Sequence, residues 1–286
     1  RIWLSIDTGR LRRVAPTLEE MIGRLERAGR FELWYHTSTP LRVPGLPGIA
    51  RPLLRHAELM SAVAGDEPTV LRPISLLVQG WCAAWRGDLA GATRLREQAR
   101  EEADWSGGTG AVRAHLLSLA AVTHAMAGDA PAALAAAAER MRQQLPNSGA
   151  WGRYLLGAFA ARIAAACGDL AALRDALDGV QAALAELDHE GRRPDTRSLS
   201  PAKGQLAWLE GRGAEALALW REALGDEEAI DIYGQAAETR VRLAGALAQD
   251  GDLRGAAQAL APVFARAQDD GGPGGALLAG ATIRRL

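Results

Sequence analysis

Apolar, Ala-rich runs along the chain are cut at regular intervals by a polar pair, Gly followed by Asp or Arg. The pairs are Gly87-Asp88, Gly128-Asp129, Gly168-Asp169, Gly211-Arg212 and Gly251-Asp252, spaced 41, 40, 43 and 40 residues apart. Such near-constant spacing marks an internal repeat. Glycine takes the left-handed conformation that ends a helix without a Cβ penalty. The Asp beside it can cap the next helix by accepting backbone N–H groups. Each unit is therefore predicted to be helix, tight turn, helix. Five residues beyond the Gly stand Ala92, Ala133, Ala216 and Ala256, with Leu173 as the exception. Small residues there let the second helix press against the first. Twelve residues beyond the Gly, Ala99 and Ala223 repeat the pattern, while Arg140, Val180 and Val263 break it.

Helix pairs are predicted near 1–29, 31–65, 69–105, 110–145, 149–187, 197–225 and 230–268, followed by an unpaired helix from about 274. Thr17-Leu-Glu-Glu20 has capping-box spacing and is expected to open a helix. Four prolines and two glycines between Pro40 and Pro52 mark a break between helices, because an interior proline costs about 3 kcal/mol. Ser106 to Gly110, Glu190 to Thr196 and Asp269 to Gly275 read as loops between repeats, none long enough to separate independent domains. Each unit buries its apolar stripe only by touching its neighbours. The expectation is one helical-repeat domain over 1–286, with 1–66 atypical, 67–270 regular and 271–286 the start of a truncated further repeat. The chain opens at Arg1 and stops inside the last predicted helix, Ala276 to Leu286, so a domain excised from a longer polypeptide is expected.

Composition strengthens the helical reading. Apolar residues make up 48% of the chain but aromatics only 5%, and Ala, the best helix former, dominates. The β-branched and aromatic residues that strands favour are sparse. A formal charge of −1 offers no global attraction to nucleic acid or an anionic membrane. Direct nucleic-acid contact by this chain is therefore not expected. Lys203 is the only lysine. A GC-rich coding sequence accounts for the excess of Arg as readily as selection for bidentate anion contacts does. Cys82 and Cys167 sit in apolar helical runs and read as small core residues of a reducing compartment. With no stretch of about 18 apolar residues and no signal peptide, a cytoplasmic location without a membrane span is expected.

Candidate chemistry is thin. Ile6-Asp7-Thr8-Gly9 spells an aspartic-protease signature, but that chemistry needs two carboxylates sharing one proton. No second copy exists and the context is helical. A phosphate-binding loop needs Gly-x-x-x-x-Gly-Lys-Ser/Thr, and Lys203 lacks both the upstream Gly spacing and the following hydroxyl. Among His36, His56, His115, His124 and His189 no two have the i, i+4 spacing that places a pair of imidazoles on one metal. Asp188-His189-Glu190 reads as a solvated turn. No enzyme activity, metal or cofactor is expected.

The run from Gly80, GWCAAWRGDLAGATRLREQA, resembles a tetratricopeptide repeat, with Gly80, Ala92 and Ala99 at its small-residue positions. The run from Gly204, GQLAWLEGRGAEALALWREAL, resembles it through Gly204, Ala216 and Ala223. The usual repeat of that family is 34 residues, and this one is nearer 40. The resemblance covers roughly residues 67–270 well and the first 66 weakly. Longer repeats of this type resemble the sensor domain of the large MalT-like, LuxR-family ATP-dependent bacterial transcriptional regulators.

The resemblance implies an all-α, right-handed superhelical solenoid of about seven antiparallel helix pairs, with the first helix of each pair on the concave face. It also implies a regulatory module that senses an effector and relays it to an ATPase on the N-terminal side and a DNA-binding helix-turn-helix on the C-terminal side. A plain protein–protein scaffold is the alternative. Counted from the small residue near the middle of each first helix, the inward positions are Trp81, Trp85, His115, Ser118, Arg162, Gln205, Trp208, Glu238 and Gln249. Trp34 and His36, from a less regular unit, extend the set. Aromatic platforms mixed with polar donors suit a ligand pocket or a peptide groove. The same tryptophans serve as well as core aromatics, and Arg162 as a solvated or locally paired arginine. The expected partner is a small-molecule effector, a protein or a peptide. Leu277, Leu278 and Ile283 on the last helix offer an apolar face to a second copy.

Overall fold

The glycine turns set the architecture. In the computed structural model, Gly87, Gly128, Gly168, Gly211 and Gly251 have φ of 83, 82, 69, 78 and 82°. After each, the next N–H reaches back five residues, as Asp88 to the Ala83 carbonyl (3.0 Å) and Asp169 to that of Ala164 (3.1 Å). This closure satisfies carbonyls that the helix end leaves orphaned. On the far side the aspartates cap. Their Oδ1 atoms accept from Gly91 (2.8 Å to Asp88), Ala132 (3.2 Å to Asp129), Ala172 (2.9 Å to Asp169) and Gly255 (2.8 Å to Asp252). Arg212 occupies the remaining cap position and makes no such bond.

The structure describes residues 14–29, 50–64, 71–106, 110–144, 148–194, 196–226, 234–270 and 272–280. Their regular elements are all helical. The first eight are α1 (Val14–Ala28), α2 (Ala50–Ala64), α3 (Leu71–Trp85), α4 (Leu89–Trp105), α5 (Gly110–Ala127), α6 (Ala130–Gln144), α7 (Ala150–Cys167) and α8 (Leu170–His189). A 3-10 turn, Arg197–Leu199, leads into α9 (Ser200–Leu209), α10 (Gly213–Gly225), α11 (Gln235–Gln249), α12 (Leu253–Asp270) and the short α13 (Gly274–Leu277). The hairpins α3–α4, α5–α6, α7–α8, α9–α10 and α11–α12 each pack along their length, and every hairpin rests on the next in chain order. First helices also touch across hairpins: α3 with α5, α5 with α7, α7 with α9.

Small residues make these approaches possible. Ala92, Ala133 and Ala216 are fully buried, as is Leu173 at the exceptional position. A Cβ on Gly80 would stand 2.8 Å from Leu119 Cδ2, and one on Gly157 2.7 Å from Val180 Cγ2. Gly204 lies under the Trp220 indole, whose Nε1 donates to the Pro201 carbonyl (3.2 Å).

Two element boundaries differ from expectation. Thr17 is the fourth residue of α1 rather than its cap, since the helix already runs from Val14. The last helix ends after Leu277, since Gly274, Gly275 and Gly280 disfavour helix. Leu278 is fully buried and Leu277 packs against the main core, so neither gives the exposed apolar face expected of them. Ile283, Trp34, His36 and the Asp7 motif lie outside the described residues.

Candidate functional site

Side chains from three first helices meet on one face. Trp81 and Trp85 stand one turn apart on α3 and stack, with centroids 6.1 Å apart and planes at 19°. Arg162 of α7 lies over the Trp85 ring, 5.7 Å from its centroid. Its Nε donates to both carboxylate oxygens of Glu238 on α11, at 3.1 and 3.3 Å. One turn further along α11, Arg242 brings Nη1 to 3.9 Å from the same carboxylate and donates through Nη2 to the Leu278 carbonyl at 3.1 Å. Glu238 and Arg242 are each 1% exposed and Arg162 is 8% exposed.

Burying these charges is costly. A unit pair near 4 Å attracts by about 4 kcal/mol at an effective dielectric of about 20. Each ion loses several kcal/mol on leaving water. The net stabilisation is therefore small, while the loss of one partner is severe. Burial pulls the Arg242 guanidinium below its ordinary value; Glu238 opposes that shift and Arg162 adds to it. The face also carries unspent polar capacity. Trp81 Nε1, Trp85 Nε1 and Arg242 Nε, with Gln235 Oε1 one turn before Glu238, are buried with no hydrogen-bond partner among the described residues. Buried polar atoms are paired nine times in ten or so, so three unspent donors in one cluster are unusual.

Of the residues expected to point inward, Trp81, Trp85, Arg162 and Glu238 come together. Gln205 is buried on α9, and His115 is half-buried on α5. Ser118 spends its hydroxyl on its own helix, donating to Ala114 at 2.7 Å. Trp208 packs within its own hairpin, its ring 5.9 Å from that of Trp220. Gln249 is exposed at the end of α11. Arg242 and Gln235 were not expected. Both fall outside the counted offsets, yet each sits about one turn from Glu238, a spacing that places side chains on one helix face.

A concavity of about 560 Å³ lies between α2, α3 and α4, lined by Ser61, Arg72, Leu76, Gln98, Glu101 and Glu102. Arg72 Nε pairs there with Glu102 at 2.9 Å. Elsewhere in the core, burial pushes the Cys82 thiol up to about 12 and the His56 imidazole down to about 3. Among the described residues, no group of three or more ligating side chains could hold a metal ion, and no helix is long and apolar enough to cross a membrane. No protein-family model matches the chain, and no curated protein matches it.

Proposed function

We propose that the chain is a regulatory binding module, a tetratricopeptide-like solenoid with a repeat near 40 residues, whose concave face receives an effector or protein partner. The carrying observation is the buried convergence of Trp81, Trp85, Arg162, Glu238 and Arg242 from three hairpins, with polar atoms left unpaired beside it. A core built only for stability gains little from two buried guanidiniums around one carboxylate. A site that must orient a polar ligand gains from them. Occupancy that draws α3, α7 and α11 together shifts how the hairpins stack, and that shift is the signal to flanking domains. In the regulator reading those domains are an ATPase and a DNA-binding helix-turn-helix.

The test has two parts. The coding sequence on either side should encode a nucleotide-binding phosphate loop upstream and a helix-turn-helix downstream; finding neither overturns the regulator assignment. Thermal melting against a panel of sugars, sugar phosphates, amino acids and short peptides should reveal a ligand. At 100 times its Kd a ligand adds about 2.7 kcal/mol, a rise of roughly 5–10 °C for a chain of this size. Trp85→Phe, which keeps an aromatic ring but removes the indole N–H, should cut that rise; an unchanged rise moves the site elsewhere.

A further inference from the structure

The segment from Gly272 to Gly280 does not extend the row of hairpins; it runs back across the helix ends. Gly272 abuts the Arg86 carbonyl after α3, and Gly274 the backbone of Ala84 and Trp85. Gly275 sits between the Trp85 ring and Ala237 of α11. Gly280, at φ +35°, lies against the Ala166 carbonyl of α7 and near that of Ala125 of α5. A Cβ at Gly272, Gly274 or Gly280 would overlap backbone atoms, which cannot give way as a side chain can. The face is thus moulded to a chain bearing glycine at these crossings.

The segment's own backbone bonds are internal, Ala276 to Pro273 (2.8 Å), Ala279 to Ala276 (2.9 Å) and Gly280 to Leu277 (3.0 Å). Arg242 supplies a hydrogen bond from the hairpins, to the Leu278 carbonyl. A single helical turn has no stability of its own in water. Two residues that touch the segment keep an unused donor, Trp85 Nε1 and Arg242 Nε, and both residues are more than nine-tenths buried. The segment fills the face, takes one donor, Arg242 Nη2, and leaves these two unused.

We propose that residues 272–280 are an intramolecular occupant of the binding face, and that the partner displacing them is an uncharged, small-residue peptide segment with glycines at the same crossings. Such a segment presents backbone carbonyls to Arg242 and to the Trp85 N–H. This rests on the reading that the first-helix face is where the protein binds. Competition with the resident segment lowers the partner's apparent affinity by the fraction of time the face is open.

The test uses the whole chain and a fluorescein-labelled peptide, Gly-Gly-Pro-Gly-Gly-Ala-Leu-Leu-Ala-Gly, the sequence of residues 271–280. Gly274→Val/Gly280→Val expels the resident segment and changes no hairpin residue. It should bind the peptide about tenfold or more tighter than wild type. A peptide with valine at those two positions should bind neither chain. Equal binding by the two chains, or none by either, overturns the proposal. Hydrogen exchange on wild type decides the matter even if the variant misfolds. The Ala276, Ala279 and Gly280 amides should exchange about tenfold or more faster than those of α7 and α11; equal protection overturns the proposal. A wild-type dimer abolished by the glycine substitutions would assign the occupant to a second copy and overturn the intramolecular arrangement. If the segment opens and takes the peptide in trans, but no ligand shifts melting and the flanking sequence encodes neither domain, the regulatory reading fails alone. If a ligand binds while the segment stays protected, the occupant proposal fails alone.

Discussion

Replacing Glu238 with Gln keeps the shape of the side chain and removes the charge that faces both Arg162 and Arg242. Two guanidiniums are then buried without that countercharge, and the chain should lose about 3–5 kcal/mol in urea denaturation. Replacing all three together, Arg162→Met, Glu238→Leu and Arg242→Met, should cost less than Glu238→Gln alone; a larger loss would mean that the triad is a net stabiliser. His56 behaves differently. Its folded pKa of about 3 lies below the ordinary value of 6.5. Above that ordinary value both states are neutral and stability is insensitive to this group. As pH falls below it, the unfolded chain binds a proton that the folded chain refuses, so stability drops by about 1 kcal/mol per pH unit. The slope of unfolding free energy between pH 6.5 and 4 should flatten in His56→Leu; an unaltered slope would place the titration on another group. At this scale part of the candidate site was legible in the sequence. Trp81, Trp85, Arg162 and Glu238 followed from helical offsets, because an offset fixes the face on which a side chain stands. Arg242 did not, because its partners are a carboxylate one turn away and a carbonyl 36 residues on. Trp208 followed the offset rule yet was drawn toward Trp220, since a ring beside another ring gains more from packing than from facing a groove.

The helix–turn–helix units were legible almost to the residue, because each depends on a few neighbouring positions: a glycine in the left-handed region and, in four of the five, an aspartate three residues from the amide it caps. The ends of the described chain were less so. Thr17 carries a capping pattern, but the helix already runs from Val14. The last stretch has apolar residues at helical spacing, while its glycines favour a bent path into a cleft that only the folded hairpins create. Cap energetics can be checked directly. Asp169→Ala removes the acceptor for the Ala172 amide and should cost about 1 kcal/mol, read from the urea midpoint at constant slope. Arg212→Asp should gain a comparable amount by supplying the missing cap. Its exposed pairs with Glu210 and Glu215 are worth only tenths of a kcal/mol. A neutral or harmful outcome would show that those pairs hold the turn.

A row of hairpins joined only to its neighbours unravels from its ends. Here the Arg162–Glu238 pair joins α7 to α11, and the segment after α12 reaches α3 and α5. The last hairpin is thereby coupled to the first. Amide exchange should show α11 opening with α7 rather than ahead of it. In Arg162→Met the opening of α11 and α12 should fall below that of α7 by about 1–3 kcal/mol; an unchanged order would confine coupling to adjacent hairpins. The glycine contacts bear on a different matter, the exchange of parts between proteins. Gly157 fits Val180 and Gly204 fits Trp220 inside single hairpins, whereas Gly80 fits Leu119 across two. A hairpin transplanted whole from α9–α10 carries both halves of its lock and key, whereas one from α7–α8 leaves Glu238 without Arg162. A cut between α4 and α5 separates Gly80 from Leu119, so recombination in this chain has permitted seams and forbidden ones.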